Sequence, residues 1–282
     1  MKSEFEIEKY NGEILRRIGA YLNYGERSID AAQVKKVSGC GVGKAKAVEL
    51  LLAGYIDADE ILEKEYLPYM LKLLDIDDYK ADRYYQDIKF PNTACGRWQL
   101  KMQSYAPYEI FVRDDFEFSG GRVLPQLGYF DMEFIYPAVY QDGVLWMSVT
   151  PNEINTMAQP ISKAHGNVLT FGLGLGYFAY MCLQKKDVGH VTIVERDKDV
   201  IELFKRHILP QFARKQDVTV VENDAYEYLR SMNDGEFDYA FVDIYHDAGD
   251  GREVYLKFKK FEDRLKRTEF DYWIEKTIKY YL

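Results

Sequence analysis

The C-terminal half of this 282-residue chain is predicted to be an α/β fold built on a doubly wound parallel sheet. Three observations predict it. From residue 167 onward, short apolar runs alternate with helical stretches. The first run, 168–171, breaks directly into glycines at alternate positions, Gly172, Gly174 and Gly176. An acid, Glu195, closes the next run, 19 positions after Gly176. Strands this short and apolar, separated by helices, imply a parallel sheet covered on both faces, with right-handed crossovers.

The elements follow in order. Residues 1–95 read as a helical domain. Positions 4–22 place Ile7, Ile14, Leu15, Ile18 and Leu22 on one helical face. Runs 34–37, 45–52 and 61–74 give further short helices, punctuated by Gly39, Gly41, Gly43 and Gly54, and Pro91-Asn92 marks an exit. Residues 96–150 read as a small antiparallel β region. Runs 108–112 and 116–118 flank Arg113-Asp114-Asp115, and Gly120-Gly121 makes a turn. Runs 130–136 and 144–149 flank Gln141-Asp142-Gly143, and Asp-Gly is a hairpin signal. Thr150-Pro151-Asn152-Glu153 then starts a helix running to Ala164, with Thr at the N-cap, Pro at the first helical position and Glu placed to close a capping box. The third domain, 151–282, holds strands at 168–171, 191–195, 218–221, 237–243 and 270–274. Helices at 177–184, 198–209, 225–231 and 252–267 separate them. The result is a Rossmann-like sheet shortened to about five strands.

Composition narrows the function. Nearly half the residues are apolar, enough for a sizeable core, and no run of eighteen apolar residues predicts a spanning helix. The N-terminus is acidic and lacks an apolar signal-peptide core. A net charge of −9 disfavours a broad phosphate-binding surface, so nucleic acid is not the expected partner. Cys40, Cys95 and Cys182 are isolated, and the four histidines are scattered, so no metal site or disulfide framework is expected. A reduced, cytoplasmic setting is the default, with no membrane association. The oligomeric state is left open, a homodimer included.

In a doubly wound sheet, ligands bind beyond the carboxyl ends of the strands, near the point where strand order reverses. The candidate residues all fall at such ends. Gly172, Gly174 and Gly176 permit a sharp turn with a ligand against backbone, or are a plain tight turn. A dinucleotide fingerprint would need its last glycine at position 177, which is Tyr177, so a pyrophosphate site is disfavoured. Glu195 suits the two hydroxyls of a ribose, or serves as an acid at a helix start beside Asp197 and Asp199. Asp224 suits an adenine amino group or an N-cap. Asp243-Ile244-Tyr245-His246-Asp247 gathers two carboxylates, a phenol and an imidazole where a reacting group belongs, followed by Ala-Gly-Asp-Gly as a flexible loop. The other reading of this stretch is a polar loop with capping acids.

Together, stretches 168–176, 194–197, 223–225 and 237–247 resemble a class I S-adenosylmethionine-dependent methyltransferase domain, most closely its spermidine-synthase-like branch. The order and spacing of the four stretches carry the resemblance, which spans about 145–275. Thr170 stands where many methyltransferases carry an acid, and spermidine synthases lack that acid too. The resemblance implies S-adenosylmethionine as cofactor. Gly172, Leu173, Gly174 and Gly176 would hold its methionine and ribose part, Glu195 would bind the ribose and Asp224 the adenine, with Arg196, Ala225 and Tyr245 also in the cofactor site. Asp243 would face the sulfonium and substrate side. Asp243, His246 and Asp247 are the catalytic candidates, His246 as the general base because its ordinary pKa lies near neutrality.

Two departures separate the chain from spermidine synthases. Their Asp-x-x-Asp-Pro is replaced by acids at 243 and 247 with no proline following, and their Tyr-His-Glu signature is missing. Methyl transfer to an unidentified small molecule is therefore the expected activity. Aminopropyl transfer is the alternative. So is a non-catalytic cofactor-binding protein whose Val37-to-Ala45 stretch, Val-Ser-Gly-Cys-Gly-Val-Gly-Lys-Ala, resembles a nucleic-acid-binding helix-hairpin-helix turn. Tyr105, Tyr108, Tyr129, Phe130, Tyr136 and Trp146 are candidates for an acceptor pocket or, more commonly, for core.

Overall fold

The computed structural model describes residues 3–24 and 29–282. Its strands are β1 (Leu71–Leu73), β2 (Thr93–Cys95), β3 (Trp98–Tyr105), β4 (Phe111–Ser119), β5 (Arg122–Tyr129), β6 (Phe134–Gln141), β7 (Val144–Ser148), β8 (Gly166–Phe171), β9 (Val188–Glu195), β10 (Val218–Glu222), β11 (Tyr239–Val242) and β12 (Glu269–Tyr272). The chain divides into two compact units, Met1–Asp78 with Ser104–Ile135, and Tyr79–Gln103 with Tyr136–Leu282. These cut across the three consecutive regions expected from sequence texture.

In the first unit, helices Glu4–Tyr24, Ala31–Ser38, Lys44–Tyr55, Glu60–Glu65 and Leu67–Met70 accompany a three-stranded sheet of order β1-β5-β4. The helix expected over 61–74 is broken. Pro68 opens a separate short helix, and Leu71–Leu73 leaves helical geometry to pair in parallel with Leu127–Tyr129. Arg113-Asp114-Asp115 is no turn either: β4 runs through it as one strand with register shifts. Gly120 and Gly121, both at positive φ, make the β4–β5 turn as expected. Buried Asn11 ties the first helix to this hairpin. Its amide donates to the Gly121 carbonyl at 2.9 Å, and its Oδ1 accepts from the Val123 amide at 2.9 Å and the Tyr66 hydroxyl at 3.1 Å. Tyr108, Tyr129 and Phe130 are buried, Tyr108 and Tyr129 in this unit's apolar cluster.

The second unit is built on five parallel strands of order β10-β9-β8-β11-β12. Side chains alternate between its two faces, as a pleated strand requires. Val168, Val191, Ile193, Tyr239 and Phe241 enter one apolar cluster; Leu169, Phe171, Val194, Ala240 and Val242 enter the other. The expected doubly wound sheet of five strands is present. The first strand of the sheet in sequence, β8, is central, and the order reverses between β8 and β11. The remaining β segments form a sheet of order β2-β3-β6-β7, in which Asp142-Gly143 turns the β6–β7 hairpin with φ of 52° and 80°. The expected strand at 130–136 instead starts at Phe134.

Helix Arg83–Asp87 braces the helix that follows the glycine turn, Tyr177–Cys182. Tyr84 is fully buried, and its hydroxyl donates to the Leu175 carbonyl inside the turn. Tyr177 donates to Asp82 at 3.0 Å, and Tyr180 to Asp87. The helix expected over 198–209 is α-helical only for Lys198–Leu203, then widens into a π turn, Phe204–Ile208. No helix among the described residues is long and apolar enough to cross a membrane. Replacing Tyr84 with Phe strands the Leu175 carbonyl without its buried donor. The expected loss is about 1–3 kcal/mol of stability, read by urea denaturation.

Candidate functional site

Four strand ends, of β10, β9, β8 and β11, meet around the reversal of strand order. After β8 the backbone turns through Gly172, Gly174 and Gly176 with φ of 100°, 50° and 77°, a region that L side chains rarely adopt. A side chain at 172 would also collide with the carbonyl oxygen of Asp243, one at 174 with the Met147 sulfur, and one at 176 with the Phe204 ring. The glycines therefore do more than turn the chain. They bring β8 against the end of β11, where the Asp243 amide donates to the Phe171 carbonyl at 2.9 Å.

Glu195 ends β9. Its Oε1 accepts from the Arg196 and Asp197 amides at 2.8 and 2.9 Å, and its Oε2 from the Leu173 amide at 3.3 Å. Burial pushes this carboxyl up, and the three amides pull it back. They also fix its orientation while leaving lone pairs for further donors. Asp224 caps helix Ala225–Ser231 through Oδ1, accepting from the Tyr226 and Glu227 amides at 2.9 and 3.1 Å.

These ends open on a cleft of about 270 Å³, near the lower end of the ~300–1,000 Å³ usual for small-molecule sites. Gly172, Leu173, Gly174, Glu195, Arg196, Asp224, Ala225, Asp243, Tyr245 and His246 all line it. Gly176 does not; it faces the Phe204 ring and a smaller adjoining cavity. Asp247 lies outside the lining as well. Its Oδ1 accepts from the Gly249 and Asp250 amides at 2.7 and 3.3 Å, and Asp250 returns the bond to the Asp247 amide at 2.9 Å. That capping box makes Ala248–Glu262 one continuous helix, so the Ala-Gly-Asp-Gly run is its first turn and not a flexible loop. His246 is exposed, its ring 6.0 Å from that of Trp146.

Residues far away in sequence complete the walls. Arg97 and Trp98 come from the β2–β3 region, and Trp146 and Met147 from β7. Arg97 pairs with Asp197 at 3.3 Å and Asp142 at 3.7 Å. Burial raises Asp197, but Trp98, the Asp199 amide and Arg97 outweigh it and hold the carboxyl low. Trp273 donates from its indole to Thr156 Oγ1 at 3.0 Å, joining the β12 end to helix Pro151–Lys163.

That helix holds the residue sequence reasoning placed wrongly. Thr150 has N-cap geometry, but its side chain makes no capping bond. Glu153 therefore closes no capping box. Its carboxyl lines the cleft, buried, with Oε2 lacking any hydrogen-bond partner. Burial, then the charge of Asp243, pushes Glu153 well above the usual carboxylate range. Burial raises Asp243 to about 7. Among the described residues no cluster suits a metal ion, and the three cysteines are free.

The part of the chain that carries this cleft, residues 150–268, matches the family model for the spermine/spermidine synthase domain. The C-terminal domain is spermidine-synthase-like. Solved structures similar to the chain include spermidine synthase from Thermotoga maritima, 17% identical over 50% of this chain and 52% of that one, with a TM-score of 0.37. A spermidine synthase in complex with the transition state analogue AdoDATO is 19% identical over 39% and 42% of the two chains, with a TM-score of 0.32. A putative O-methyltransferase from Klebsiella pneumoniae is 22% identical over 36% and 44%, with a TM-score of 0.28. The chain spans about half the length of the first of these structures. No curated protein matches it.

The raised carboxyl of Asp243 makes stability depend on pH. Its folded pKa exceeds the unfolded one, so the folded state binds more protons in between, and stability falls as pH rises from about 4 to about 7. Each unit of the rise is worth roughly 1.4 kcal/mol. Asp243→Asn should flatten that fall, a result read from thermal melts across this range; an unchanged slope would remove Asp243 as its cause.

Proposed function

We propose that the C-terminal unit is an S-adenosylmethionine-dependent transferase that methylates a small-molecule acceptor. The observation that carries this reading is the convergence of the glycine turn, Glu195, Asp224 and Asp243 on one cleft at the reversal of strand order. The residues fit the cofactor. The turn is a cradle that any side chain would fill, and Glu153, Glu195, Asp197, Asp224 and Asp243 give the cleft an acidic lining suited to a cation.

When bound, S-adenosylmethionine supplies an activated methyl group on a cationic sulfonium. Gly172, Leu173 and Gly174 present backbone to it. Glu195, held by three amides, offers its lone pairs to ribose hydroxyls, and Asp224 with Ala225 receives the adenine. Arg97 and Arg196 give the amino-acid carboxylate a counter-charge. Asp243 accepts the proton that the acceptor sheds. Its pKa of about 7 suits a base at neutral pH, and it is the more enclosed of the two groups, since His246 stands exposed at the rim. Trp146, Met147 and Trp273 narrow the cleft with apolar surface and exclude water from it.

A second reading, aminopropyl transfer from decarboxylated S-adenosylmethionine, is supported by the match to the spermine/spermidine synthase domain. The two readings differ at one chemical group, because the aminopropyl donor lacks the carboxylate that Arg97 and Arg196 would meet. Calorimetric titration of the full chain with each donor separates them; tighter binding of the decarboxylated donor selects aminopropyl transfer. Glu195→Gln should weaken binding of the preferred donor about 10- to 100-fold, roughly 1.4–2.8 kcal/mol. An unchanged affinity would count against the ribose role.

A further inference from the structure

We propose that Glu153 and Asp243 work as one carboxyl pair at the transfer end of the cleft, holding a proton between them in the absence of a cation and releasing it when a cation binds. This deepens the transferase reading and rests on it. The two side chains reach the cleft from different elements, Glu153 from the first turn of helix Pro151–Lys163 and Asp243 from the end of β11. Glu153 is 9% exposed, and no described group bonds to its Oε2. A buried carboxylate oxygen without a partner is costly unless the group is neutral or meets a cation.

Among the described residues, none of the cationic side chains lining the cleft bonds to that oxygen. The other acids of the cleft, Glu195, Asp197 and Asp224, add negative charge. Arg97 is engaged by Asp197 and Asp142, Arg196 is exposed, and His246 stands at the rim against Trp146. Tyr177, on the helix after the glycine turn, feels the charge of Glu153, but its hydroxyl donates to Asp82. A buried and a half-buried carboxyl with no cation bonded between them keep a proton, and each raises the cost of ionising the other. A fixed positive charge reverses that balance. Binding of a sulfonium would therefore discharge the proton to solvent and leave Asp243 ionised, ready to accept a proton from the acceptor. The neutral thioether product exerts no such pull, so the pair favours donor over product.

The test compares S-adenosylmethionine with S-adenosylhomocysteine, which differ by a methyl group and a positive charge that cannot titrate. Calorimetry of the full chain near pH 7, in buffers of different ionisation enthalpy, counts the protons released. The expected result is more proton release with S-adenosylmethionine than with the thioether, with the difference abolished in Glu153→Gln. At pH 8 that variant should also lose its preference for the sulfonium by roughly tenfold. Equal proton release with both ligands, or a difference that survives in the variant, would overturn the proposal. Failure of the wild-type chain to bind either ligand would overturn the transferase reading and the ligand-linked half of this inference with it.

A ligand-free measurement tests the pair by itself. Glu153→Gln removes a buried acid whose ionisation penalises the folded state only above the unfolded pKa. The variant should melt several degrees above wild type at pH 8, with the gap closing toward pH 4. A gap independent of pH would show that Glu153 does not belong to such a pair.

Discussion

Everything at the site depends on the close approach of two backbones, Gly172 after β8 and Asp243 after β11. The strands lie side by side and parallel, and their ends stay this close because Gly172 has no side chain to keep the Asp243 carbonyl away. A parallel sheet places its strand ends on one edge, and reversal of winding direction leaves a gap there that no crossover helix fills. The glycine determines how narrow that gap is, and therefore which atoms of a ligand can meet which side chains.

Rigidity around the gap comes from polar groups satisfied inside the protein. Three amides hold Glu195, a cap holds Asp224, and a reciprocal capping box holds the segment after Tyr245. Beneath the glycine turn, Tyr84, Tyr177 and Tyr180 each send a hydroxyl to a fixed acceptor. Among the described residues the exceptions are Trp98 Nε1 and Glu153 Oε2, both in the lining of the cleft, and only Glu153 is an acid. Where nearly every buried polar group is paired, an unpaired carboxyl oxygen in a ligand-sized cleft is the feature that the proposed proton release explains.

The parallel sheet was legible because its signals are local. Alternating apolar runs and helices, glycines at a strand end and an acid at the next are each written in a few consecutive residues. The walls of the cleft were not, because Arg97, Trp98, Trp146, Met147 and Trp273 meet only after the chain has folded. Glu153 misled for a different reason. Thr-Pro-Asn-Glu has the grammar of a capping box, and only the tertiary surroundings decide whether the glutamate turns back to the cap or toward the cleft. The capping acids Asp247 and Asp250 gave the converse error: a glycine-containing run looked flexible, although two reciprocal bonds make it helical. Leu71–Leu73 read as helix from its apolar neighbours, yet a distant strand recruits it by parallel pairing, which leaves no local signature.

Met147 occupies the space that a side chain at Gly174 would take. Its unbranched thioether has three rotatable bonds and gives way more cheaply than a branched or aromatic neighbour would. The cover beside the glycine turn thus includes an unbranched side chain supplied by a separate sheet. Because Met147 belongs to β7 and not to the parallel sheet, the contact at Gly174 constrains the turn without being part of the strand pairing.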